Sequence, residues 1–231
     1  TVDKESPGRM YLGSMTQCQA PTMGAIINIA AMLNICAEKE TEIKDLSEEM
    51  FDSYWTLIIY HNSLTELGKT LSATKDEIPT RMKQTALNQE NIRKNFGDEN
   101  NIIELRGSVD QGELQKDQAR MNKVWNDKDE VSAVVTTNIM SVGVDYQRLG
   151  LMIVLGQPKT TSEYIQATSR VGRKVENPGI VLTHYRTSMP RDRSHYESFK
   201  SYHQNLYKEL EPSSVTPFTV PALNKAFSGV L

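Results

Sequence analysis

Five short runs rich in β-branched and aliphatic residues set the tightest constraint on what this chain can become. They are "WTLIIY" (55–60), "NIIEL" (101–105), "SAVVTT" (132–137), "LMIVL" (151–155) and "GIVLTHY" (179–185). Each is nearly continuous in apolar residues instead of alternating, the pattern of strands covered on both faces. Longer amphipathic stretches separate them and predict helices over Leu64–Lys94, Gln111–Trp125, Ser162–Val171 and Arg193–Leu210. Strand, helix, strand repeated in this way calls for right-handed crossovers. The expected fold class is therefore α/β, a doubly wound, mostly parallel sheet with helices on both faces. "RMYLGSM" (9–15) adds a candidate edge strand, and a helix is predicted over Met23–Lys39. "CAEKETEIKDLSEEM" (36–50) reads as a charged connector or insertion, and three prolines in "EPSSVTPFTVPALNKAF" (211–227) predict an extended arm. The expected division is N-terminal additions over 1–50, a core domain over 51–211 and the proline-rich arm over 212–231.

Charge limits the ways such a domain can hold an anion. Lys and Arg number 26 against 29 Asp and Glu, a formal charge of −3, so no whole-surface basic field exists and anion binding has to be local. Cys18 and Cys36 form no CxxC pair and the four histidines are scattered, so neither a disulfide framework nor a metal site is expected. A reducing, cytoplasmic compartment is the corresponding expectation. "GAIINIAAMLNICA" (24–37) is too short to cross a bilayer comfortably and carries Asn28 and Asn34; it predicts a buried helix and no membrane partner. The chain opens without an initiator Met or an apolar leader, which suggests a piece of something longer.

"QATSRVGR" (166–173) places Gln166, Arg170 and Arg173 at i, i+4 and i+7, one stripe of a helix. Thr160 and Glu163 are spaced as a capping box, Gly172 marks the helix end, and Tyr164, Ala167 and Val171 form the stripe that docks on the sheet. Paired guanidiniums repel unless an anion sits between them, and a polyphosphate suits their planar forks. Residue types alone leave open a solvated basic helix end near the negative pole of the helix dipole. A second constellation is "VVTTNIMSVGVDYQRLGLMIVLG" (134–156), where a buried run ends in Thr136, Thr137 and Asn138 before Gly143 and Asp145. Loops at the carboxyl ends of parallel strands line the ligand crevice, which places Thr137 and Asn138 there. Gly143 permits close backbone approach and Asp145 can accept from a ribose hydroxyl or pair with an arginine; both also suit a plain turn.

Together these segments resemble motifs V and VI of superfamily 2 helicases, with "TTNIMSVGVD" similar to the former and "QATSRVGR" to the latter, Ser169 replacing the usual glycine of QxxGRxGR. "LIIYHNS" (57–63) looks like motif IV and "IIELRGSVDQGE" (102–113) like the strand and turn that come after it. "DYQRLGLMIVLGQPKTTSEYIQATSRVGR" (145–173) and "RSHYESFKSYHQNLYKELEPSSVTPF" (193–218) resemble the helicase component of DISARM-type bacterial anti-phage defence systems. The resemblance implies the second RecA-like domain of such an enzyme. Arg170 and Arg173 would act as catalytic arginine fingers, with Gln166, Gly143 and Asp145 at the nucleotide. Ser63, Arg106, Gly107, Ser108, Thr137 and Asn138 would hold a nucleic-acid strand, DNA in a defence setting. ATP and Mg²⁺ would sit on a first RecA-like domain of the same polypeptide, outside this chain, and other defence-system proteins would be partners.

Two rival readings come from other classes. One is a non-catalytic helicase-like scaffold or nucleic-acid-binding module, against which the arginine pair argues. The other is a complete small nucleotide-binding enzyme using "SLTELGKT" (63–70) as a phosphate loop. Its first position is Ser63 instead of glycine and Leu64 and Leu67 have helix spacing, so a helix is expected there.

Overall fold

The computed structural model describes residues 8–17, 20–86, 93, 96, 101–105, 111–137, 146–211 and 220. Six strands form one sheet: β1 (Arg9–Met15), β2 (Leu57–His61), β3 (Ile102–Leu105), β4 (Ala133–Thr136), β5 (Leu151–Leu155) and β6 (Gly179–Tyr185). Their order across the sheet is β1-β6-β5-β2-β4-β3, and every pairing is parallel. The five apolar runs are thus all strands, and "RMYLGSM" is the sixth, at one edge beside β6.

Continuous apolar runs suit this sheet because alternate residues enter two separate cores. Ile58, Tyr60, Val134, Met152 and Val154 face one side, with Tyr164 and Ala167 of α7 (Thr161–Thr168), Met121 of α6 (Gln111–Met121) and Tyr202 of α9 (Phe199–Gln204). Leu57, Ile59, Ala133, Val135, Ile153 and Leu155 face the other. There they meet Ile29 and Leu33 of α1 (Pro21–Glu38), Leu67 of α4 (Leu64–Lys75) and Ile78 and Met82 of α5 (Glu77–Thr85). Burying both faces removes apolar area on two sides of each strand, at about 25 cal/mol per Å².

Several boundaries differ from the expectation. The 36–50 connector is helical: α2 (Glu40–Leu46) is followed by α3 (Glu48–Trp55), whose N-cap Ser47 accepts from the Met50 N–H. Its high charge reflects an exposed outer surface, since α2 has no buried residue while Phe51 of α3 is fully buried. The helix expected over 64–94 divides at Asp76 into α4 and α5. The last expected helix begins earlier and is two short helices, α8 (Pro190–Glu197) and α9, because proline is favoured in the first helical turn. "SLTELGKT" is the start of α4: the Ser63 hydroxyl caps it by accepting from the Glu66 N–H at 3.3 Å, so Gly68, Lys69 and Thr70 lie within a helix. That geometry excludes a phosphate loop there.

Candidate functional site

Helix α7 starts at the carboxyl edge of the sheet and returns to the amino edge. Thr160 caps it, its hydroxyl accepting from the Glu163 N–H at 3.2 Å. The Glu163 carboxylate accepts from the Tyr60 hydroxyl at 2.9 Å, which ties the first turn to β2. Tyr164, Ala167 and Val171 are buried, as their spacing requires. The helix ends at Thr168, however, so Arg170 and Arg173 stand in the turn after it and do not share a helical stripe with Gln166. The chain turns at Gly172, which adopts φ +62, in the left-handed region, and whose N–H donates to the Leu149 carbonyl at 2.9 Å. A Cβ on Gly172 would stand 2.3 Å from the Gly179 amide nitrogen, so only glycine fits.

The turn is held from outside the matching motifs. Arg9, first residue of β1, donates from Nε to the Val171 carbonyl at 2.7 Å and from Nη2 to the Ser169 carbonyl at 3.2 Å. The Arg173 Nε also donates to the Ser169 carbonyl, at 3.0 Å, with its side chain exposed. Arg170 is half-buried, and its Nε is shielded from solvent without a hydrogen-bond partner. A desolvated guanidinium nitrogen with no acceptor is costly, and an anionic oxygen would satisfy it. Sequence reasoning missed Arg9; its strand was legible, but nothing in "RMYLGSM" points to a turn 160 residues away.

Leu149 and Gly150 lead into β5 at the same amino edge, and this approach is also anchored. Arg148 makes a bidentate pair with Asp52 of α3, Nε to Oδ2 at 2.8 Å and Nη2 to Oδ1 at 2.7 Å. Its Nη1 donates to Thr56 Oγ1 and to the Met121 carbonyl, and the Gly150 N–H donates to the Ser53 carbonyl at 2.8 Å. Gly143 and Asp145 lie outside the described residues, as do Arg106, Gly107, Ser108 and Asn138.

At the opposite edge Ser63 and Thr137 each follow the carboxyl end of one of two neighbouring strands. β2 pairs with β4 in the register Tyr60↔Thr136, so Thr137 follows the end of β4 beside the end of β2. Ser63 is exposed and Thr137 half-buried. The Ser63 hydroxyl, although it caps α4, retains its own proton to donate. Across β5, five residues long, the two edges are separated by about 15 Å at the usual rise of a strand. The expected site residues therefore fall into two groups: Ser63 and Thr137 at the carboxyl edge, Arg170 and Arg173 at the amino edge, and Gln166 exposed on the helix that joins them.

Among the described residues no cluster of His, Cys, Asp or Glu could hold a metal ion, and no helix is long and apolar enough to cross a membrane.

Comparison with known proteins bears on the family and the fold. The family described as the helicase conserved C-terminal domain matches residues 58–175. Over 221 residues the chain is 36% identical to the DISARM protein DrmA of Bacillus paralicheniformis, covering 96% of this chain and 19% of that protein. The chain thus spans about a fifth of the length of that curated relative. Of solved structures, the helicase MrfA bound to DNA and AMPPNP superposes with a TM-score of 0.55 at 15% identity, over 96% of this chain and 26% of that one. The helicase Lhr of Mycobacterium smegmatis, bound to ssDNA and AMP-PNP, gives a TM-score of 0.52 at 14% identity, over 90% of this chain and 23% of that one. At such identities these superpositions speak for the fold alone. The family match, on residues that include the whole arginine turn, makes the conclusion direct: the chain belongs to the helicase conserved C-terminal domain family.

Proposed function

We propose that this chain is the half of an ATP-dependent helicase or translocase that completes a nucleotide site built on another domain. The observation that carries the reading is the arginine turn itself. Two guanidiniums sit in a turn fixed by Gly172 and Arg9, and the Arg170 Nε is desolvated without a partner. ATP, with Mg²⁺ held by the first RecA-like domain of the same polypeptide, supplies the γ-phosphoryl group on which negative charge develops. Arg170 and Arg173 present donors to that charge, and Gln166 with the Gly143–Asp145 segment borders the nucleotide. Arginine fingers of this kind contribute ~10³ to 10⁵ in rate.

The second task is to hold a strand. Ser63 and Thr137, with Asn138 next to Thr137 and with Arg106, Gly107 and Ser108 after β3 in the sequence, would grip phosphates through hydroxyls, amides and few charges, which suits a chain with net charge −3. DNA is the expected strand and anti-phage defence the expected setting, with other defence proteins as partners; the likeness to DrmA supports the setting, and the DNA-bound structures of the same fold support the strand. On this reading residues 51–211 are the helicase core. Residues 1–50 enlarge it, since β1 extends the sheet and α1 covers one face. Residues 212–231 are a proline-rich arm appended to that core.

The deciding experiment uses the parent protein with both RecA-like domains. Arg173→Ala should lower kcat by orders of magnitude while nucleotide affinity changes far less, since the lost contact is to transition-state charge. Arg173→Lys should rescue poorly, because a point charge cannot reproduce a planar fork. Single-turnover hydrolysis beside nucleotide binding reads both. Normal turnover in Arg173→Ala would overturn the assignment.

A further inference from the structure

A cavity of about 210 Å³ opens at the carboxyl ends of β2, β5 and β6, and Thr22, His61, Lys69, His184 and Arg186 are among its walls. Among the described residues, none of the expected site residues lines it. It is roomy, since about 10–15 Å³ of such space already holds one water. Three features of its lining point to a ligand. His61 is 1% exposed, and neither of its ring nitrogens has a hydrogen-bond partner. α1, 18 residues long, begins at the rim with no side-chain cap and no acidic residue in its first turn. Its first free N–H groups and the positive end of its dipole therefore have no counter-charge of their own. Lys69, from the "GKT" that resembles a phosphate loop in sequence only, reaches the same space from α4.

Two further groups frame the cavity and are already matched by the protein. Arg186 is paired with Glu66 and, from Nε at 3.2 Å, with Asp192, while His184 Nδ1 is hydrogen-bonded to the Asn28 amide at 2.9 Å. The groups left to meet an anion are the ammonium of Lys69, the amides opening α1 and the ring of His61, and they come from three different walls. A planar carboxylate offers two oxygens to such a set. A phosphoryl group offers oxygens in three directions or more, which matches donors converging from separate elements.

We propose that this cavity is a phosphoryl-binding site, formed by the start of α1, Lys69 and His61, and distinct from the nucleotide completed by the arginine turn. The phosphoryl group can come from a strand backbone or from a free phosphate. Either way the binding links α1, which lies outside the matched helicase segment, to the end of β2 inside it.

The test is titration of the full chain, with its histidine rings isotopically labelled, at constant ionic strength. The probes are inorganic phosphate and, separately, an oligonucleotide without terminal phosphates. Saturable movement of the His61 ring signals with phosphate alone identifies a free or terminal phosphoryl group as occupant. Movement with the oligonucleotide, competed by phosphate, identifies a strand phosphodiester. Lys69→Gln, on the surface of α4 where the fold tolerates it, should weaken either response roughly tenfold, the loss of one charge-assisted hydrogen bond. If neither probe moves His61 beyond a chloride control, or if Lys69→Gln binds as tightly as the parent sequence, the site does not exist. ATP hydrolysis does not enter the readout, so this result and the fate of the arginine assignment are independent.

Discussion

Gly172 and His61 show how much single positions carry. The Gly172 backbone is left-handed and abuts Gly179, so Gly172→Ala adds both φ strain and a collision with backbone that cannot yield. The expected cost is at least about 2–3 kcal/mol, read by denaturant unfolding, with the arginine turn displaced. An Ala variant as stable as the parent sequence would contradict the turn geometry. His61 makes a separate, pH-dependent prediction. Burial first, and the nearby Arg186 charge second, hold its pKa down at about 4, against 6.5 in an unfolded chain. Between those values the unfolded state binds the extra proton, so stability is intact above pH 6.5 and falls as pH drops toward 4, by about 3 kcal/mol in all. Urea midpoints across that window should show the loss, and His61→Gln should flatten it.

Between elements, the Asp52–Arg148 pair plays the part of a latch. It joins α3 to the segment entering β5, and both side chains are mostly buried, at 11% and 13% exposure. Asp52 also accepts from the Trp125 N–H at 2.8 Å. Removing one partner of such a pair strands the other charge, so Asp52→Ala should cost about 3–5 kcal/mol, whereas an apolar replacement of both should cost far less. A double-mutant cycle in thermal unfolding separates the two outcomes. The pair also marks where sequence reading stopped. Strands were legible because two buried faces demand continuous apolar runs, and α7 was legible through its Thr160 cap and its apolar stripe. The break of that helix at Thr168 was not, because it depends on Gly172 meeting Gly179 and Leu149 across the sheet. Helices α2 and α3 were hidden for the opposite reason. α2 has few apolar residues and buries none, and the placement of α3 comes from long-range bonds such as Asp52 to Arg148, 96 residues apart. Ser63 and Thr137 could be placed at a strand end from sequence, but their separation from the arginines by the length of the sheet emerges only once the crossover is traced.

At the scale of the molecule, the two groups of residues proposed for the site occupy opposite edges of one sheet. A strand held at the carboxyl edge by half of a phosphate-tracking groove should bind weakly to this chain alone and lose that affinity as salt rises. Fluorescence titration of a labelled single strand at two salt concentrations tests this, and tight, salt-indifferent binding would refute the grip. The pairing of β1 with β6 carries a different consequence, one of time. Arg9 lies beside Gly179, 170 positions later in the chain. At the ~5–20 residues per second of protein synthesis, β1 leaves the ribosome roughly 10–30 s before its partner strand exists. Through that interval Met10 and Leu12, still 58% and 43% exposed in the finished fold, have no sheet to join. Of the six described strands, the one that secures the arginine turn is thus made first and can pair only after β6 is made, and until it pairs the turn lacks the guanidinium that holds its carbonyls.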